Sequence, residues 1–401
     1  MIEENTMRTT SPTGTLGTLA RVLAATALAG AACTGGTSTG DDDGGDDDGT
    51  GPVDEWDQKL AEREYDYSAA LRIASLRLTG RLPTLAEVKA VADAGDVAAQ
   101  KAVYESFLRN YLETPEFANQ MLGFWRDTFK MGESAMLDTA PVFAAQLTVE
   151  NRSFGELFTA STGTCPTFNP ADGSFTAADC QNGVTTHAGV LTNPGVQAHF
   201  FSNMAFRRVR WVQEAFACTA FPAEIVEQGV EMGGAQAYTA PWPFESIAGA
   251  GNGGTVDFHD TSAVVCANCH ATMNHLAPLF ANFDDQGQLQ NTIQVQTPNE
   301  GAPDAQLTDW LPAGEATAWR FGVPVADLPA LGQAMAADAK VAECIVARYW
   351  GWALGKGDIV DTLTLVPTAT IQAHVDSFQA SGGLMKDAIF AVYTADDFVK
   401  F

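Results

Sequence analysis

The sequence predicts a mainly α-helical, multidomain chain interrupted by one irregular loop insertion. Three observations predict it: apolar residues recur at helical spacing over most of the body, helix-start signals precede those runs, and alternating strand-like stretches are scarce. Apolar residues make up 46% of the 401 residues, enough for real cores, so the chain is not disordered overall. Its length suggests two to three domains at roughly 100–200 residues each. Lys and Arg number 22 against 49 Asp and Glu, and 22 − 49 gives a net charge of −27. A polyanion would be repelled by almost every face, so nucleic acid is excluded as a partner.

Residues 1–32 have the layout of a secretory signal. The run Arg21-Val-Leu-Ala-Ala-Thr-Ala-Leu-Ala-Gly-Ala-Ala-Cys33 pairs a cationic start with a short apolar stretch ending in small residues. Its last part, Leu28-Ala-Gly-Ala-Ala-Cys33, resembles a bacterial lipoprotein signal, which makes Cys33 the expected lipidated N-terminus; an ordinary signal peptide with a stray Cys is the alternative. Residues 33–55 form an acidic Gly/Thr/Asp-rich tether. From Thr34 to Pro52 it has six Asp between Asp41 and Asp48 and nothing apolar to bury, so it stays extended and solvated. No stretch after residue 60 offers the ~18 uninterrupted apolar residues of a membrane span.

Residues 56–154 read as an N-terminal helical domain. Thr84-Leu-Ala-Glu87 is a capping box, and Thr114-Pro-Glu-Phe117 sets a cap and an N1 proline before Met121, Phe124 and Trp125. Residues 155–186, rich in Thr, Gly, Asn and Pro with two Cys, are the loop insertion. In residues 187–300, helical periodicity returns over Arg207 to Cys218, and a Gly-rich stretch from Gly249 precedes the segment that carries the chemistry. Residues 301–401 form a C-terminal helical domain, with helical runs over Ala342 to Leu354 and around Ala388 to Ala391.

That chemistry is Cys266-Ala-Asn-Cys269-His270, a C-x-x-C-H. Two thiols at this spacing lie along one edge of a short helix and add to haem vinyl groups, while the adjacent imidazole meets the iron. One covalent haem c is therefore the expected cofactor, with His270 as its metal ligand. Two other readings compete. A thioredoxin-type dithiol wants a βαβ surrounding, and a zinc site wants a second ligand pair, neither of which is visible. Setting aside Cys33, Cys266 and Cys269 leaves Cys165, Cys180, Cys218 and Cys344, an even number for an oxidising compartment. Cys165 with Cys180 and Cys218 with Cys344 is one of three connectivities.

A sixth iron ligand is not fixed by the sequence. Met232, Met335 and Met385 are the Met candidates, with His187, His199 and His259 beside them; each alone is more often a core Met or a surface His. Met273 and His275 lie too close to His270 to reach the opposite haem face without a chain reversal. Pro278, in Ala277-Pro-Leu279, is expected to bring a carbonyl round to the His270 ring. Arg207, Arg208 and Arg210 are candidates for the haem propionates, or else pair with the chain's own carboxylates. Tyr349, Trp350 and Trp352 wall the haem or are plain core.

Several blocks are similar to the planctomycete and myxobacterial surface cytochrome family. Cys266 to His270 followed by Phe280-Ala-Asn-Phe-Asp284 and Gly287 resembles its cytochrome-c-like haem domain. Arg77-Leu-Thr-Gly-Arg-Leu-Pro-Thr84 with Ser106 to Trp125 is similar to its N-terminal helical domain. Gly189-Val-Leu-Thr192 and Arg208 to Glu214 resemble the lead-in to the haem motif, and Trp352-Ala-Leu-Gly355 with Thr394-Ala-Asp-Asp-Phe398 its C-terminal blocks. Asn274-His-Leu-Ala277 departs from the family's Asp-Pro-Ile/Leu-Gly turn, and Trp352 stands for a Tyr. The resemblance implies an exported, surface-associated haem protein and no particular substrate.

The expectation is thus an exported, cell-envelope c-type cytochrome, lipid-anchored to a bacterial membrane, at the outer membrane or the periplasmic face. It would pass single electrons between redox partner proteins, and its acidic surface suits basic ones. It touches the membrane through its N-terminal lipid only. An open iron position would instead make it a peroxidase-like haem enzyme; a vestigial or absent haem would leave a non-catalytic surface protein.

Overall fold

The chain's two ends of folded structure are stitched together. Glu64 and Phe401 exchange backbone hydrogen bonds at 3.0 and 3.1 Å, and Asp66 N donates to Val399 O at 3.0 Å. The computed structural model describes residues 55–202, 205–220, 264–291, 294–295, 305–306, 316–320, 322–356 and 366–401; for 55–57, 264–271, 294–295 and 305–306 it describes the backbone alone. Cys33, Met232, His259 and the Gly-rich stretch from Gly249 lie outside the described residues. Lys59–Phe401 forms one unit.

The described residues are mainly helical, as the periodicity requires. After α1 (Glu55–Ala61) come α2 (Tyr67–Thr79), α3 (Leu85–Ala92), α4 (Val97–Tyr111), α5 (Pro115–Phe129) and α6 (Thr139–Val149). Their starts are chemically marked. Asp66, Asp96 and Thr114 each accept a backbone N–H of the first turn, and Thr84 and Glu87 close the reciprocal capping box. α2 ends on Gly80 at φ +70, a left-handed cap that glycine adopts at no steric cost. α6 is buried on nearly every side, which fits its almost wholly apolar sequence. It packs on α5 and α14, and Trp125 Nε1 of α5 donates to its Thr148 Oγ1 at 2.9 Å.

The insertion opens with the short helix α7 (Glu156–Thr159) and continues into a hairpin of β1 (Thr167–Asn169) and β2 (Ser174–Thr176), with Phe168 opposite Phe175. Too small to bury a core of its own, it is closed by a Cys165–Cys180 disulfide. A 3-10 turn at Gly189–Thr192 then leads to α8 (Pro194–His199), α9 (Phe206–Phe216) and α10 (Val264–Phe280). Beyond these lie two small ladders, β3 (Gln294–Val295) with β4 (Ala305–Gln306) and β5 (Ala318–Trp319) with β6 (Val323–Pro324).

The C-terminal helices are α11 (Leu328–Ala336), α12 (Ala339–Ala353), α13 (Thr368–Ala380), α14 (Met385–Thr394) and α15 (Asp396–Val399). They share the core of the first helices. α14 packs on α4 and α6, α12 packs on α2, and Tyr104 Oη donates to Tyr393 O at 2.7 Å with both rings buried. A second disulfide, Cys218–Cys344, ties the end of α9 to α12. Both cystines are those of the first pairing considered from the sequence.

Candidate functional site

The C-x-x-C-H sits in the first turns of α10. Cys266, Cys269 and His270 fall at positions i, i+3 and i+4 of this 17-residue helix, one stripe along a 3.6-residue repeat. Their side chains lie outside the description. The helix continues past them without reversal to Phe280, so Met273 and His275 remain on the same rod as His270. Pro278 stands inside the last turn of the helix, so Ala277-Pro-Leu279 continues the helix rather than bringing a carbonyl round toward His270. One missing N–H is a smaller loss than the gain from burying Leu276, Ala277 and Phe280 completely.

The far end of α10 is locked in place. Arg208, on α9, is only 1% exposed. Its Nε and Nη2 donate to Gln197 O at 3.0 and 2.5 Å, its Nη1 to Phe280 O at 2.8 Å, and Nη2 also to Phe283 O and Asp284 O at 3.1 Å. Gln197 lies in the last turn of α8 and Phe280 ends α10, so one guanidinium satisfies the C-terminal carbonyls of two helices, where the helix dipoles favour a cation. Burial lowers its pKa to about 10, with Asp284 nearby opposing the shift, and it remains charged at neutral pH. Arg208 is therefore spoken for by main-chain oxygens rather than available to a propionate. Its neighbours are committed as well: Arg207 Nη1 reaches Phe201 O at 3.4 Å, and Arg210 pairs with Glu214 one turn on at 2.7 Å. Of the three, only Arg210 pairs with a carboxylate of the chain; Arg207 and Arg208 bond backbone carbonyls instead.

The turn after α10 completes the lock. Asp284 Oδ1 accepts from Gln286 N and Gln288 N at 2.9 and 2.8 Å, and Oδ2 from Gln290 Nε2 at 2.6 Å. Burial would raise this carboxyl's pKa, but these hydrogen bonds outweigh it and hold the pKa below the usual range. Gly287, at φ +71, lets the turn press on Pro194, whose carbonyl oxygen would stand 2.1 Å from an added Cβ. Asn182 of the insertion donates to Gly287 O at 3.1 Å and to Thr192 O at 2.9 Å. The Phe280 to Gly287 block thus serves as a dock where α8, α9, α10 and the insertion meet.

The remaining candidates scatter. Met335 is fully buried on α11, and the fully buried Met385 sulfur accepts from Thr148 Oγ1 at 3.6 Å, so both are core residues. His187 is buried against Thr192 Oγ1 at 3.3 Å, and burial lowers its pKa, with Asp179 opposing. His199 Nε2 meets Lys130 O at 3.0 Å. Tyr349, fully buried, stacks on Phe124 at 5.3 Å, and the half-buried Trp352 meets the same ring edge-on at 5.6 Å, so these rings pack α5 against α12.

A cleft of about 1220 Å3 opens between the end of α5, the 130–138 turn and α12. Phe124 and Trp352 give it an aromatic wall; Lys130, Arg348 and Lys356 line it together with Asp127, Glu133 and Asp138, so its edge carries both signs of charge, and its described lining takes no residue from α10. Nothing in the sequence marked this cleft, because its walls come from segments some 220 residues apart. Among the described residues no group of three or more His, Cys, Asp or Glu is placed to hold a metal ion, and no helix is long and apolar enough to cross a membrane. No family model, curated protein or solved structure matches the chain.

Proposed function

We propose that this protein is an exported, lipid-anchored c-type cytochrome that carries one covalent haem and passes single electrons between redox partners. The observation that carries the reading is the C-x-x-C-H on one stripe of a helix whose opposite end is fixed to the rest of the fold. The donor set fits the group: two thiols three residues apart for the vinyl carbons, and the next imidazole for the iron. Haem bound there supplies a one-electron Fe(III)/Fe(II) couple.

The chain's own residues do the rest. Cys266 and Cys269 would hold the porphyrin, and His270 would ligate the metal. Two disulfides, Cys165–Cys180 and Cys218–Cys344, suit the oxidising compartment in which c-type haem is attached. The net charge of −27 steers basic partners toward the molecule and repels acidic ones.

Production in a host with a haem-ligating system tests this. A reduced spectrum with a sharp low-spin α band that carbon monoxide does not alter supports electron transfer. A high-spin, CO-binding spectrum moves the assignment to a haem enzyme. Absence of a Soret band overturns the proposal.

A further inference from the structure

We infer that Arg208 is a positioning residue for the haem-motif helix, fixing the carboxy-terminal end of α10 so that Cys266, Cys269 and His270 are presented in one set orientation. The haem part of this inference rests on the function proposed above; the anchoring part does not. Residues 272–280 of α10 are packed into the fold, and the motif at 266–270 stands about three to four turns N-terminal to Phe280. At ~1.5 Å per residue, His270 lies roughly 15 Å along the helix axis from the Phe280 carbonyl that Arg208 grips. Any tilt at the grip is carried along the helix to the motif, enlarged by that length.

The grip is unusual in its chemistry. A buried guanidinium commonly faces a carboxylate, yet every hydrogen-bonded acceptor of Arg208 is a backbone carbonyl: Gln197 from α8, Phe280 from α10, and Phe283 and Asp284 from the turn. Carbonyls at helix ends are fixed in direction by the helices that carry them, so a planar fork reaching all four sets the angle between α8 and α10. The rings of Phe201 and Phe283, 5.4 and 6.0 Å from the guanidinium carbon, close it off from water. A lysine at this position would keep the charge but could not span four acceptors with a fork. Gly287 supports the same geometry from the outside, by letting the turn close on Pro194.

The test uses the full chain with Arg208→Lys, Arg208→Met and Gly287→Ala, with the exposed Arg72→Met as control. The Gly287 variant leaves the guanidinium in place but pushes the turn off Pro194, so it and the Lys variant carry the test if the Met variant fails to fold. In haem-free protein, amide hydrogen exchange is expected to rise at least tenfold over residues 272–290 in the Met and Gly287 variants, less in the Lys variant, with α2 and α12 unchanged. Unaltered exchange there in folded variants overturns the anchor. In protein made with haem ligation, intact mass is expected to show a several-fold lower haem-loaded fraction for Arg208→Met, partly restored by Arg208→Lys. A loosened α10 with the parent's haem-loaded fraction and reduced spectrum overturns the positioning role. If the parent itself takes no haem, the proposed function fails while the exchange measurement still decides the anchor.

Discussion

Arg207, Arg208 and Arg210 sit within four positions of one helix and meet three different fates. The reason is periodicity: Arg208 shares the buried face of α9 with Trp211, Val212 and Ala215, while Arg207 and Arg210 point to solvent. That placement was legible in the apolar spacing, but the partners were not, because Phe280 and Asp284 lie more than 70 residues away. His187 shows the same limit. As one of six histidines it looks like a ligand candidate, whereas the fold buries it beside Thr192. Since burial depresses its folded pKa below the ordinary 6.5, the unfolded chain binds the extra proton as pH falls through that value. Stability is then complete above about pH 7 and declines toward pH 5. The half-buried His374, whose pKa partial burial also lowers, adds a slope of the same sign. Urea titrations between pH 5 and 7.5 should show a shallower slope for His187→Gln than for the parent; an identical slope would remove His187 from this account.

At the scale of elements, the capping box of Thr84 and the N1 proline of α5 were readable because they depend on residues two or three apart. The α10 helix was half readable. Its motif spacing implies one edge of a helix, whereas the carbonyl expected to come round at Pro278 stays in the helix that tertiary burial continues to Phe280. The cystines belong at this scale too. Loop-closure entropy assigns roughly 3 kcal/mol to Cys165–Cys180, which closes 15 residues, and roughly 5 kcal/mol to Cys218–Cys344, which closes 126. The second also joins α9 to α12, alongside the bond from Arg348 Nη2 to Glu214 O at 2.7 Å. Thermal melts of the two Cys→Ala double variants are predicted to show the larger drop for Cys218 and Cys344. The reverse order would mean that the insertion hairpin, not the α9–α12 junction, limits stability.

For the whole molecule, composition announced helices and a core but not how the segments would meet. The first and last helical stretches share one interior: Tyr104 bonds Tyr393 O, and Tyr65 pairs with Lys400 as an antiparallel bridge. Contacts over more than 280 residues leave no local trace in the sequence. Removing Asp396 to Phe401 would take away Phe398, which packs 4.6 Å from Tyr393, and the backbone bonds to Glu64 and Asp66. Hydrogen exchange is predicted to accelerate in both α2 and α14 of that truncation, at opposite ends of the chain; acceleration confined to α14 would contradict the shared interior. The function proposed for the molecule reduces to two thioether bonds. Intact mass before and after extraction with acidified acetone tests them most directly. The parent, made with haem ligation, is predicted to keep one haem's mass through the extraction while the Cys266→Ser, Cys269→Ser double variant carries none. A parent that is colourless, or that loses its pigment to the solvent, would contradict the account.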